Sequence, residues 1–590
     1  MRILLMAPLL VLLQACSNSD DPTPPPPPPP PVETFKITGP ADNQVNVGQS
    51  VGLVLEAPSL TVKNIRWEQL TGLSELDIAA SQRKAIGFDV TEPGIHTIQL
   101  TFADSEDNQY SKQYTFEAFD VAAEPLTVNA RLDHAMVEQT KGSIRAFDSA
   151  NGAGITYSWQ QISGPSAEIT FGNSGVLQFV SPEVEQDALL TFEVTVTDAD
   201  ENTATDQVFV LVENITIDDQ GVFPAALGKV AANTRPYNPT GPYADKLVGC
   251  AYSNVLIESC KLNDLPLLGQ DTIIPTLDDV MNRVVVSHQW MGDAFKEFLE
   301  LEDTENDFKR LARAATVIVL SYDIKPSFYW SYTGALYLDP SDLWRNPAER
   351  DTLLEQNVPA FGGSLQFFMP TRYTQNDDFV TFFWPYNFRQ ARPLNFYRHD
   401  ITPVLYHQFA HANDTFPPST WATLDSDQTV HQASLNVTSG NETLTELTST
   451  AMKGLAGVKF AGNSSTELER GYTSTDIIPF FEPDNGLLFK SFFTAREDFA
   501  ILFEQFMMQH RYQIQADVGI IASGTNVVDW GQRGRVGESR ILDRAAVVGA
   551  MLLTDEDFSA TLADFPAPIL MTPGLTWQEN LDLTPDDPKQ

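Results

Sequence analysis

Tandem repetition of one short motif constrains this chain more than any other feature. Trp67-Glu-Gln-Leu-Thr-Gly-Leu-Ser and Trp159-Gln-Gln-Ile-Ser-Gly-Pro-Ser begin 92 residues apart. An alternating stretch follows each one, Ile98-Gln-Leu-Thr-Phe-Ala-Asp104 and Phe192-Glu-Val-Thr-Val-Thr-Asp198, with its aspartate 37 and 39 residues beyond the tryptophan. Phe192, Val194 and Val196 alternate with polar residues, the period of a strand buried on one face. Two units of about ninety residues built from such strands predict two β-sandwiches, each with its tryptophan between the sheets.

The pattern W-x-Q-[LI]-[ST]-G with a late V-T-D strand resembles the PKD/Ig-like repeats of bacterial surface proteins. The resemblance covers about residues 35 to 213 and implies one Ig/PKD-like sandwich at 35–121 and another at 122–215. Such domains serve as spacers or as binding modules, and the sequence leaves both roles open. Ahead of them, Arg2, the apolar run Ile3 to Leu13 and Leu13-Gln-Ala-Cys16 resemble a bacterial lipoprotein signal with its lipobox. That resemblance implies a signal peptide over 1–15 and a diacylglycerol on Cys16, and Ser17 is similar to the residue of lipoproteins sorted to the outer membrane. Pro24 to Pro31 is an unbroken proline run, so 16–34 reads as a lipidated cysteine and a stiff polyproline spacer. The expected location is the outer membrane, facing either periplasm or cell surface, with the lipid as the only anchor.

The 590 residues carry 37 basic and 78 acidic side chains, a formal charge of −41. That balance argues against nucleic acid or anionic lipid as a partner through bulk charge. With Cys16 lipidated, Cys250 and Cys260 remain. An export signal and two cysteines ten apart predict one disulfide closing a short loop, with a metal-binding pair as the alternative.

From about residue 220 to 590 the texture changes to mixed helix and strand, an α+β domain of the catalytic type. The periodicity predicts helices at Ser287–Leu301, Phe308–Ala315, Asn441–Lys453 and Ala495–Arg511, and strands at Thr316–Leu320, Gly334–Leu338 and Phe379–Trp384. The chemistry concentrates in a further helix. Thr402 and Pro403 read as its N-cap and first position, and it is expected to run to about Asn413, before Pro417 and Pro418. His407 and His411, four apart, leave one face of it and can share one metal ion.

His407-Gln-Phe-Ala-His411 has the frame of the zinc-peptidase motif H-E-x-x-H, with Gln408 where the glutamate stands. Proline at position 417 excludes the branch that uses a third histidine there. Thr494-Ala-Arg-Glu-Asp-Phe-Ala resembles the later helix of gluzincin metallopeptidases, which implies a zincin-like fold with Glu497 as third ligand of one zinc ion. Thr494 and Glu497 also fit a capping box, which by itself accounts for a glutamate there. Glu446 and Glu442 are alternative ligands, and Asp414 suits a supporting or helix-end role better than ligation. His431, His510 and Tyr512 are candidates for stabilising an oxyanion or for plain packing.

In H-E-x-x-H enzymes the glutamate moves the proton of the metal-bound water; an amide orients a water but accepts no proton at ordinary pH. The implied protein is therefore a weakly active or inactive zinc metallopeptidase relative, a pseudoenzyme in the second case. It would act on or bind extracellular proteins or glycoproteins. The alternatives are a surface adhesion or scaffold lipoprotein whose zincin fold is a binding module, and a structural lipoprotein that holds no metal.

Overall fold

The structure is a computed structural model that describes residues 34–120, 122, 124–215, 231–253, 259–355 and 362–583. The expected signal peptide, Cys16 and the polyproline run lie outside the described residues. The fold is multidomain: two β-sandwiches followed by an α+β region.

In the first sandwich a three-stranded sheet (Lys36–Thr38, Ser50–Glu56, Ala85–Asp89) faces a four-stranded one (Gln44–Asn46, Gln109–Phe119, Gly94–Ala103, Lys63–Thr71). In the second, Glu168–Phe171, Val176–Val180, Lys141–Asp148 and Val128–Arg131 face Thr156–Ser163, Ala188–Thr197, Thr203–Glu213 and Met136–Val137. Ile98, Leu100, Phe192, Val194 and Val196 are fully buried, as the alternation predicts. Trp67 is buried and donates from its indole nitrogen to the carbonyl of Arg83 (2.8 Å); Trp159 is half-buried and donates to Ser174 (3.0 Å).

The rest of the repeated motif is turn chemistry. Gln69 accepts from Leu76 N (2.8 Å) and donates to Ser74 O (2.8 Å), and Gln161 does the same with Ala167 N (2.9 Å) and Pro165 O (2.6 Å). Asp104 accepts from the backbone of Glu106 (2.8 Å) and Asn108 (3.0 Å); Asp198 accepts from Asp200 and Asn202 (both 2.9 Å). These aspartates close hairpin loops as Asx turns.

In the α+β region a five-stranded sheet runs in the order β1 (Arg235–Pro236), β2 (Val284–Val286), β3 (Ile318–Leu320), β5 (Ala335–Leu338), β4 (Phe328–Trp330). β2, β3 and β5 are parallel; β4 is an antiparallel edge strand. Helix α1 (Gln289–Leu301) buries Trp290, Phe295, Phe298 and Leu299 against this sheet. Helices α2 (Leu394–Thr415) and α3 (Ala495–Tyr512) pack together behind it. A second sheet built around Gln515–Ala522 closes the far side. No helix among the described residues is long and apolar enough to cross a membrane. Cys250 and Cys260 are disulfide-bonded, their Cα atoms 5.3 Å apart.

Four local expectations need correction. Helix α2 begins at Leu394 with Pro393 as N-cap, so Pro403 lies inside it rather than at its start. Tyr397, Ile401, Leu405 and Phe409 recur every fourth residue and are fully buried, and that packing outweighs the one backbone bond that Pro403 removes. Phe308–Ala315 is a short helix, Asp307–Leu311, followed by a 3-10 turn, Ala312–Ala314. Of Phe379–Trp384 only Phe379 is in a strand; Phe383 is 90% exposed, and the Trp384 indole turns away to Asp400 (2.9 Å). Asn441–Lys453 is not one helix but a 3-10 turn, Gly440–Thr443, and a separate helix from Thr450. Asp484 breaks it by accepting the backbone amides of Thr448 (2.8 Å) and Ser449 (2.6 Å).

Candidate metal centre

Helices α2 and α3 bring His407, His411 and Glu497 together, with one ligand atom from each within 4.8 Å of the others. His407 Nε2 lies 3.2 Å from His411 Nε2 and 3.2 Å from Glu497 Oε2; His411 Nε2 lies 3.8 Å from Glu497 Oε1. The imidazole planes stand at 84° with centroids 4.8 Å apart, so both Nε2 atoms face one point.

Thr494 caps α3 through its hydroxyl, which accepts from Glu497 N (3.1 Å). The carboxylate of Glu497 takes no part in that cap and instead lies toward the histidines. Half of the capping-box expectation therefore holds. Two imidazoles and a carboxylate converging in this way fit the donor set of a zinc ion that keeps a position open.

Sequence reasoning missed Glu504. It lies two turns after Glu497 on α3, and its Oε2 is 2.8 Å from His407 Nδ1. Its other oxygen accepts from the Tyr373 hydroxyl. A carboxylate on Nδ1 holds the proton there and leaves Nε2 as a free donor pair. The sequence signal was the spacing of seven between Glu497 and Glu504, which puts both on one face of the helix.

The electrostatics follow from burial and these contacts. Burial opposes the charged form of His407, but the hydrogen bonds with Glu497 and Glu504 outweigh it and raise its pKa. Burial and the neighbouring His407 push His411 down to about 3, so it stands neutral. Glu497 is held below the usual carboxylate range: burial raises it, and the bond with His407 and the Lys490 ammonium, 2.9 Å away, prevail.

The three residues open into a cleft of about 330 Å³, lined also by Ser327, Tyr329, Gln408, Lys490 and Arg496. Gln408 is buried; its Nε2 donates to the carbonyl of Ser327 (3.3 Å), and its Oε1 has no partner among the described residues. The other candidates fall elsewhere. Asp414 is a helix-end group that accepts from Asn441 N (2.6 Å) and pairs with Arg496 (3.3 Å). Glu442 caps the turn after Ser439 (3.3 Å), and Glu446 pairs with Lys453 (3.5 Å) in solvent; neither reaches the cleft. His431 stacks on Tyr332, His510 bonds to Thr561 (2.6 Å), Tyr512 packs against His399, and none of the three lines the cleft.

A family model for a PKD domain matches residues 132–212. Residues 132–212 are a PKD domain. The first sandwich is another β-sandwich that precedes it. Among solved structures, the PKD domain of human KIAA0319 is 22% identical, covers 17% of this chain and 94% of its own, and has a TM-score of 0.14. The PKD domain of the KIAA 1837 protein is 12% identical, with coverages of 14% and 82% and a TM-score of 0.13. The fibronectin(III)-like modules of Clostridium thermocellum CbhA are 11% identical, with coverages of 30% and 94% and a TM-score of 0.12. No curated protein matches the chain.

The PKD domain does not hang free. Its Arg145 donates to the carbonyls of Arg350 (2.6 Å) and Leu353 (3.0 Å) and to Glu355 (3.0 Å). Its Gly175 lies so close to Tyr386 that a Cβ there would collide with the hydroxyl. Asp351, fully buried, receives Arg389 at 2.6 and 2.7 Å and has Arg131 and Arg145 at 3.6 and 3.8 Å. Arg389 also reaches Asp89 of the first sandwich (3.2 Å). Charged groups from all three domains thus share one cluster, with Arg131, Arg145 and Asp351 buried at its centre and Asp89 at its exposed end.

Proposed function

We propose that residues 220–590 form a zincin-like domain holding one zinc ion on His407, His411 and Glu497, carried on an outer-membrane lipoprotein. In this reading it binds, or cuts slowly, extracellular proteins or glycoproteins. One observation carries it: the convergence of those three side chains with Glu504 behind His407. A bound zinc ion would supply Lewis-acid polarisation of a carbonyl and a more acidic water. The chain's own residues set the rest. Gln408 offers an acceptor that orients a water or an N–H and takes no proton. Glu497, a ligand in this reading, is the only carboxylate among the described residues lining the cleft, so no second base stands ready. Edge strand β4 forms one wall of the cleft, and among the described strands none pairs with its outer edge. An extended peptide can add there by backbone hydrogen bonds.

The test is the metal content of the whole protein beside its His407→Ala variant. Near-stoichiometric zinc, lost in the variant, supports the site; no uptake by either protein sinks it. Gln408 favours a second reading, a surface binding module on a zincin fold. A peptidase assay of Gln408→Glu separates the two: an impaired enzyme gains about 10² to 10⁴-fold, whereas a binding module without the remaining machinery stays silent. The lipid anchor is tested by fractionation of Cys16→Ser, which would move the protein from membrane to soluble fraction. A variant that stays in the membrane fraction refutes the anchor.

A further inference from the structure

The cleft over the metal centre has a charge balance unlike the rest of this acidic chain. Lys490, on the 3-10 turn Phe489–Phe492, places Nζ 2.9 Å from Glu497, and 43% of its side chain remains exposed. Arg496 lines the same cleft, 48% exposed, braced by Asp414 (3.3 Å), Thr415 Oγ1 (2.9 Å) and Ser439 Oγ (3.2 Å). The carboxylates in direct contact with His407, Lys490 and Arg496 are Glu497, Glu504 and Asp414. Imidazoles that ligate a metal are neutral, so a divalent ion added to Lys490 and Arg496 would leave one positive charge in excess over these three.

Gln408 belongs to the same balance. A glutamate at that position would cancel the excess and repel an anion lying over the metal; a glutamine does neither. The substitution that removes a general base therefore also opens the cleft to negative charge. Lys490 has three N–H donors and spends one on Glu497, so it can hold an anion without releasing the ligand residue.

We propose that this cleft binds a carboxylate group, paired with Lys490, and that Gln408 is the specificity-determining residue that admits it. The carboxylate belongs to a polypeptide, either at its free C-terminus or on an acidic side chain. The inference rests on the metal reading above. It gives the cleft a ligand class, and it makes the loss of the glutamate a gain in anion binding.

The test uses full-length protein loaded with zinc, its metal content measured in every sample, titrated calorimetrically with three short peptides. One has a free C-terminal carboxylate, one is its amide, and one is amidated with an internal glutamate. At least one carboxylate peptide should bind about tenfold or more tightly than the neutral amide, as one opposed charge a few ångströms away implies. Which of the two binds identifies the source. Compared at matched zinc load, Gln408→Glu and Lys490→Met should each weaken that binding by about tenfold, and Lys490→Arg should keep it. Equal binding of the amide, or equal affinity in wild type, Gln408→Glu and Lys490→Met at full zinc load, overturns the proposal alone. A wild type that takes up no zinc overturns it together with the metal reading.

Discussion

Glu504 gives the sharpest test of how the site is held, because it touches the centre only through His407. Its Oε2 lies 2.8 Å from His407 Nδ1, and the Tyr373 hydroxyl fixes its other oxygen. A hydrogen bond to a charged group contributes about 1.5–3 kcal/mol. Outer-shell carboxylates of this kind typically change metal affinity by about 10 to 100-fold, or about 1.4–2.7 kcal/mol. Glu504→Gln keeps an oxygen that can accept from Nδ1, so it should sit near tenfold; Glu504→Ala frees the ring and should approach a hundredfold. The assay is zinc affinity by competition with a chromophoric chelator, with thermal melting run alongside to separate loss of affinity from loss of fold. If both variants hold zinc within about twofold of wild type while melting normally, Glu504 does not orient His407, and the supporting role assigned to it is wrong.

Asp351→Asn leaves three arginines around a neutral side chain at the domain junction, and breaking a buried pair of this kind should cost about 3–5 kcal/mol in denaturant unfolding. An unchanged midpoint would show that the cluster does not bind the domains together. Acid should destabilise the junction through His134 and His288: burial pushes both pKa values well below 6.5, so they stay neutral when folded and take up protons when unfolded. Their contribution is present above about pH 6.5 and lost below it, at about 1.4 kcal/mol per pH unit for each. Asp323, raised by burial to about 6, works the other way, so the readout is a flatter stability–pH curve in His134→Phe than in wild type below pH 6.5. Replacing Cys250 and Cys260 together by serine reopens a loop of about ten residues and should cost about 3 kcal/mol by the loop-closure estimate. An unchanged thermal midpoint in the double variant would refute it.

The parts of this fold legible in the sequence are those whose contacts are local. Gln69, Gln161, Asp104 and Asp198 each bond within seven residues of themselves, so the motif and its cause sit in one stretch. Helix α3 could be bounded to within a residue because Thr494 caps it and Phe499, Leu502, Phe503 and Phe506 mark its buried face. The extent of α2 was hidden because Pro403 reads as a start, and only packing against distant elements shows that it is not. Glu504 and His407 are 97 positions apart, and Arg145 and Leu353 are 208, so neither contact leaves a local trace. The docking of the sandwiches was illegible for the same reason.

That docking changes what the sandwiches are in physical terms. A spacer needs only its ends to be anchored, and its flanks can stay polar and solvated. Here Arg131 and Arg145 are each about 2% exposed, and their partners lie on other strands or in another domain. Arg83 of the first sandwich is buried against Asn233 O (2.6 Å) at the entrance to the α+β region and Ala135 O (3.2 Å) in the second sandwich. Charges that far from water are tolerated only when their partners stay in place, so separating the domains would strand several of them at once. The sandwiches therefore form part of the same folded body as the candidate metal cleft. It follows that an excised 220–590 fragment, with Asp351 and Glu355 stripped of Arg145 and Arg131, would test a damaged domain. Metal binding is properly measured on the whole chain.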